Sequence, residues 1–166
     1  LMTFLPGSNR ENPPVRYSGD PLDRKNEKLF QIVPMDGKRP YNVIKVIEEI
    51  VDDHDFFEVH QYWARNMVVG FARIHGHSIG VIANQPMVLA GTLDINASDK
   101  AARFVRFCDC FNIPLLTLVD TPAFLPSKAA EFAGIIRHGA KILFAYSEAT
   151  FPKITLVRRN GYGGGY

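Results

Sequence analysis

The chain has 166 residues, 46% of them apolar, and sets 19 Lys and Arg against 17 Asp and Glu for a formal charge of +2. That is enough to bury one ordinary core but not the two of a large enzyme, and near-balanced charges leave no footprint for neutralising many phosphates, so nucleic acid is not an expected partner. No run approaches the roughly 18 apolar residues of a membrane span and no basic start leads into an apolar signal core, so membrane insertion is not expected and a cytoplasmic compartment is.

In chain order, Leu1 to Leu5 reads as the end of a helix, an apolar run with no cap ahead of it. From Pro6 to Pro40 the composition turns to Pro, Asn, Arg, Asp and Gly, with breaks at Asn12-Pro13-Pro14 and Asp36-Gly37. An extended connector is expected there, with a domain boundary near residue 36. Val43, Ile44, Ile47, Ile50 and Val51 then recur at helical spacing opposite Lys45, Glu48, Glu49 and Asp52, predicting an amphipathic helix that lies on a sheet. Two strand-like runs, Met67 to Ile74 and Ser78 to Ala83, flank His75-Gly76-His77 and predict an antiparallel hairpin.

Ser98 is placed to cap a helix that ends near Asn112, with Ala101, Phe104, Val105 and Cys108 on one face and Lys100, Arg103 and Arg106 mainly elsewhere. Cys108 and Cys110 lie two apart on that helix, match no CxxC spacing, and are expected to be reduced, buried thiols. Pro114 to Val119 is a compact apolar strand ending in Asp120. Phe124 to Ser127 lead into a long helix with Phe132, Ile135, Ile136, Gly139, Ala140 and Leu143 on one face. Lys153 to Val157 is the next strand, and Asn160 to Gly165 a glycine-dense turn after it. Strand pairs feeding helices in succession predict an α/β fold, a spiral of ββα units with a layered core.

Gly163-Gly164-Gly165 has the clearest chemical use. Glycines after a strand let backbone N–H groups approach a ligand closely, and fixed N–H donors stabilise charge developing on a carbonyl oxygen. A flexible tail is the alternative. His54, His60, His75 and His77 fall in polar or turn segments with no helical His pair and no HExxH, so surface histidines explain them better than a metal site. His138 is expected to make a structural hydrogen bond rather than act as a base. Asp120 sits where α/β proteins often keep functional groups, yet Asp-x-Pro also serves as a turn, which is the favoured expectation. Ser127 and Ser147 lack the context of an activated nucleophile. Phe104, Phe107, Phe111, Phe132 and Phe144 sit at helical spacings and are expected in the core.

The phrases Ala83-Asn84-Gln85-Pro86, Leu93-Asp94-Ile95-Asn96, Arg103-Phe104-Val105-Arg106-Phe107-Cys108-Asp109, Phe111-Asn112-Ile113-Pro114, Gly134-Ile135-Ile136-Arg137-His138-Gly139-Ala140-Lys141 and Tyr162-Gly163-Gly164-Gly165-Tyr166 run in one order over about three quarters of the chain. In that order they resemble the carboxyltransferase component of biotin-dependent acyl-CoA carboxylases and decarboxylases. The resemblance implies a crotonase-like fold, with residues 1–35 as the end of an N-terminal domain plus linker and residues 36–166 as an incomplete C-terminal, biotin-side domain. It implies a carboxyl group moved between carboxybiotin and the α-carbon of a short-chain acyl-CoA, with no metal at this step. It assigns the N–H groups of Gly164 and Gly165 to the biotin ureido oxygen and places Gly163 and Tyr166 in the same cofactor-binding turn. The partners it implies are acyl-CoA, a biotin carboxyl carrier, biotin carboxylase and further copies of the subunit in a hexamer, in the cytoplasm or, in a eukaryote, the mitochondrial matrix. A methylmalonyl-CoA-type decarboxylase and a non-catalytic assembly piece stay open beside it.

Ala123, Ser127 and Ala133 stand where the family usually has Gly, Asn160 stands for Lys and Gly165 for Ala. A side chain at a position needing positive φ would strain the loop by about 1 kcal/mol or more.

Overall fold

The computed structural model describes residues 1–21 and 23–165. Phe57–Val59 (β1), Met67–Ile74 (β2), His77–Asn84 (β3), Leu115–Thr121 (β4) and Lys153–Gly161 (β5) form one sheet in that order. The first three strands pair antiparallel, while β3, β4 and β5 run parallel. Lys28–Ile32 (α1) is one short turn of helix within the expected connector, and Val43–Ile50 (α2) precedes the sheet. Ile95–Cys110 (α3) links β3 to β4, whereas Lys128–Phe132 (α4) and Ile135–Glu148 (α5) link β4 to β5. The β2-β3-α3 order is the expected ββα unit.

The central strands are nearly continuous apolar runs because both sheet faces are covered, as in parallel sheets flanked by helices. Val43, Ile47 and Val51 of the α2 segment pack on Val68, Val81, Ala83 and Leu118. On the other face Ala101, Phe104, Val105 and Cys108 of α3 and Ala145 of α5 meet Met67, Val69, Ile82 and Leu115. The β2–β3 register pairs Ile74 with His77, so the hairpin loop is His75-Gly76, both left-handed at φ 49° and 81°. That turn matches strand twist, and the Asp52 carboxylate accepts from its two N–H groups at 2.9 and 2.7 Å.

Residues 1–5 form a turn rather than a helix, closed by the Phe4 N–H donating to Leu1 O at 2.9 Å. Phe4 is buried against Phe71, with the Arg73 guanidinium 4.2 Å above its ring.

Several sequence expectations change. Asp94, not Ser98, caps α3, because its carboxylate accepts from Ala97 N at 2.8 Å, while the buried Ser98 hydroxyl donates back to Asp94 O. Lys100 is fully buried instead of turned to solvent. The long helix breaks at Gly134, whose φ of 87° no helix interior accepts, and the two pieces present different faces. Phe132 before the break is exposed, as are Ile136, Leu143 and Phe144 on the outer face of α5, which packs through Ile135, Gly139 and Ala145. Cys110 is exposed, and Cys108 alone is a buried thiol.

Candidate functional site

The glycine turn follows directly from β5. Gly163–Gly165 forms a tight 3-10 turn, closed by the Gly165 N–H donating to Tyr162 O at 3.3 Å, a long bond. Gly164 is exposed and a Cβ built there meets nothing within 4 Å. Gly165 is half-buried, and a Cβ there would lie 3.3 Å from Thr121 Cγ2 and 3.8 Å from Ala123 Cα. Gly165 therefore serves close approach to the 121–123 segment, and an alanine would push the threonine methyl by a few tenths of an ångström. Tyr166 lies outside the described residues.

Both glycines line a cavity of about 430 Å³ between the sheet and α5. Its apolar walls come from Leu93, Val119, Phe124 and Ile142, and its polar lining from Asn84, Ser147, Lys153 and Thr155 together with the Thr117 and Tyr146 hydroxyls, 2.6 Å apart. Burial pushes the Tyr146 phenol up to about 12, so it is neutral across the ordinary range.

The alanine and serine positions that stand for glycine in the family carry no strain. Ser127 and Ala133 have φ of −150° and −77°, and Ala123 is not among the residues with positive φ. Ser127 instead caps α4 by accepting from Ala130 N at 3.0 Å. Left-handed backbone is concentrated at Leu89, Ala90 and Gly91, at φ 49°, 52° and 75°, beyond the carboxyl end of β3. A Cβ on Gly91 would stand 2.5 Å from Asp120 O, so the backbone approach there excludes any side chain.

Beneath the glycine turn is a polar cluster that periodicity did not single out. Asp120, 1% exposed, accepts through Oδ2 from Tyr41 OH and Arg159 Nε, both at 2.8 Å. Its Oδ1 accepts from Asn160 N at 3.2 Å and Asn160 Nδ2 at 3.1 Å. This corrects the expected turn role: Asp120 lies within β4, and the Asp-x-Pro spacing marks the strand end only. The Arg159 guanidinium lies 4.5 Å from the Tyr41 ring centre and that of Arg158 5.3 Å, so two cations flank one carboxylate. Arg158 donates to Asn84 O and Leu118 O, while its buried Nε and Nη1 have no partner among the described residues. Burial lowers the Arg158 pKa and raises that of Tyr41. The base of the turn thus has an excess of positive charge.

His138 is held in place away from this cluster. Its Nδ1 is 2.9 Å from both oxygens of Asp99, which also accepts from Lys141 Nζ at 2.7 Å. The imidazole fastens α5 to α3, the structural role expected of it, through a carboxylate. Among the described residues no cluster of three or more His, Cys, Asp or Glu is placed to hold a metal ion, and no helix is long and apolar enough to cross a membrane.

The Carboxyl transferase domain family matches residues 1–166. The mitochondrial propionyl-CoA carboxylase beta chain of Sus scrofa is 53% identical over all of this chain, which covers 31% of that protein. Methylmalonyl-CoA decarboxylase subunit alpha of Veillonella parvula is 52% identical, again over the whole chain and 33% of the relative. The crystal structure of transcarboxylase 12S, a hexamer assembly seen with hydrolysed methylmalonyl-coenzyme A, superposes with a TM-score of 0.96 at 55% identity, covering 99% of this chain and 32% of that one. The chain spans about a third of the length of the relatives it matches. With the family model matching from the first residue to the last, this chain belongs to the carboxyl transferase domain family.

Proposed function

We propose that this chain is the biotin side of a carboxyltransferase acting on a short-chain acyl-CoA, propionyl-CoA or methylmalonyl-CoA by its relatives' names, with Gly164 and Gly165 as the catalytic backbone donors. The single observation that supports it is the exposed Gly164 turn at the mouth of an apolar cavity, backed by two arginines against one carboxylate. The ring system of biotin is compact and apolar apart from its ureido group, which suits such a cavity with donors at one edge. When bound, carboxybiotin supplies the carboxyl group that is transferred. The chain's own part is to aim N–H groups at the ureido oxygen as it gains negative charge, which lowers the barrier only if the donors are fixed before reaction. The long Gly165 bond to Tyr162 yields readily to a stronger, charge-assisted acceptor. Gly163 precedes these donors in the turn and is assigned with them to cofactor binding, as Tyr166 is from its place in the sequence. Residues 1–35 are assigned to the end of a preceding domain and its linker, and residues 36–166 to the biotin-side domain. Acyl-CoA, a biotin carboxyl carrier, biotin carboxylase and further copies of the subunit complete the assembly, a hexamer by analogy with transcarboxylase 12S. A decarboxylase running the transfer in reverse would use the same donors.

The test is a chimera in which residues 1–166 replace the matching third of the pig propionyl-CoA carboxylase beta chain. It should transfer carboxyl groups, and Gly164→Pro or Gly165→Pro, each removing one N–H, should lower turnover by about 10²–10³ with little change in the acyl-CoA KM. Proline variants that turn over like the parent would overturn the donor assignment. An inactive chimera that still folds and assembles would instead favour a non-catalytic assembly role.

A further inference from the structure

We propose that Asp120 is a positioning residue for the glycine turn, holding the end of β5 in register so that Gly164 and Gly165 stand at the cavity mouth. The catalytic consequence rests on the biotin-side function above, whereas the positioning itself stands on geometry alone.

A residue serving its own turn would accept from N–H groups two or three positions on. Asp120 accepts none of that kind: its donors are Tyr41, 79 positions away, and Arg159 and Asn160, 39 and 40 positions away. Four donors meet two oxygens, which uses the full acceptor capacity of an ionised carboxylate. An amide in the same place would turn its NH₂ toward groups that are themselves donors.

The pairing of β4 with β5 is regular through Val119–Val157 and resumes, after an irregularity, at Thr121–Gly161. Asp120 sits at that break, where the register shifts and Arg159 and Asn160 have no residue partner on β4, and its side chain ties them to the strand. Arg159 extends the tie by donating to Asp36 O and Arg39 O at 2.9 and 2.8 Å, which anchors the strand end to the segment ahead of α2. On the β4 side, Asp120 N donates to Asn84 Oδ1 at 3.2 Å, and Asn84 Nδ2 donates to Gly91 O. The neighbouring Thr121 is the residue against which Gly165 rests. Moving the carboxylate therefore moves both the strand that delivers the turn and the surface that supports it.

The experiment uses the ¹⁵N-labelled full chain and reads the Gly164 and Gly165 amide resonances in Asp120→Asn, in Tyr41→Phe and in Ser127→Ala, which loses only the α4 cap. Tyr41→Phe removes one hydroxyl whose bond is to Asp120, so it decides the matter even if Asp120→Asn does not fold. Both cluster variants should displace the two glycine resonances and lower their heteronuclear NOE, while Ser127→Ala leaves them in place. A folded Tyr41→Phe chain with unmoved glycines would overturn the proposal. Titration with free biotin forms a separate arm. Response in the parent, weakened about tenfold in the variants, supports positioning and biotin site together. Displaced glycines with no response to biotin in any chain uphold the positioning role and sink the biotin site.

Discussion

Lys100 Nζ donates to Trp63 O at 2.8 Å, and to His60 O and Ala64 O at 3.0 and 3.4 Å, so a buried ammonium gathers three carbonyls of one loop. His60 and Ala64 are left-handed, at φ 55° and 46°, a cost the ammonium helps offset by drawing their carbonyls inward. Lys100→Met should lower stability by about 1–3 kcal/mol by leaving these acceptors unpaired. Emission of Trp63, the one tryptophan of the chain, followed through urea denaturation, measures it.

The same lysine carries a pH dependence. Burial pushes its pKa down to about 8 from 10.5, with Glu58 opposing. Below about 8 both states hold the proton and this group adds no slope. Between about 8 and 10.5 the unfolded chain binds more protons, so its contribution to stability rises with pH, by up to about 1.4 kcal/mol per unit. The parent chain should gain on Lys100→Met across that window; a gap that stays constant or moves the other way contradicts the assignment.

Asp94→Ala should cost about 1–2 kcal/mol, because the carboxylate caps α3 at Ala97 N and also accepts from Asn66 Nδ2 at 3.1 Å. Chemical denaturation of the variant tests it, and an unchanged midpoint would mean the helix starts elsewhere.

Gly91 and Gly164 should respond oppositely to alanine. At Gly91 the left-handed φ and the 2.5 Å approach to Asp120 O make Gly91→Ala cost about 3 kcal/mol or more, whereas Gly164→Ala should stay within about 0.5 kcal/mol. Thermal melts of the two variants side by side show the contrast, and equal losses would refute it.

Phe132 and Ile136 are 93% and 82% exposed, so Phe132→Ser and Ile136→Ser should leave stability within about 0.5 kcal/mol of the parent while reducing self-association of the chain. Light scattering beside the melts reads both effects, and a loss of about 2 kcal/mol or more would place these side chains in the core after all.

Local order was legible in the residues wherever one short stretch sufficed. The 3.6-residue period from Val43 to Val51, the His75-Gly76-His77 connection between two apolar runs, shortened in the structure to His75-Gly76, and the glycine density after Lys153–Val157 each named an element and its neighbour, because periodicity and turn chemistry act over a few positions. The shared phrases likewise pointed to the family from the sequence alone. What the sequence could not assign was the environment of each polar or apolar side chain. Lys100 looks solvent-facing by spacing and becomes the most buried cation, since its three acceptors come from a loop some 36 to 40 positions earlier. Phe132 and Phe144 look like core and stay exposed, because no other part of the described chain covers α4 at Phe132 or the outer face of α5 at Phe144. Asp120 looks like a turn and becomes the hub beneath the glycine turn, because its donors arrive from Tyr41, just ahead of α2, and from β5 only when the sheet has formed. The donors proposed for the glycine turn are backbone N–H groups, so the proposal could be made from sequence. Its placement depends on long-range hydrogen bonds to one carboxylate, and only the tertiary structure brings those groups within reach of each other.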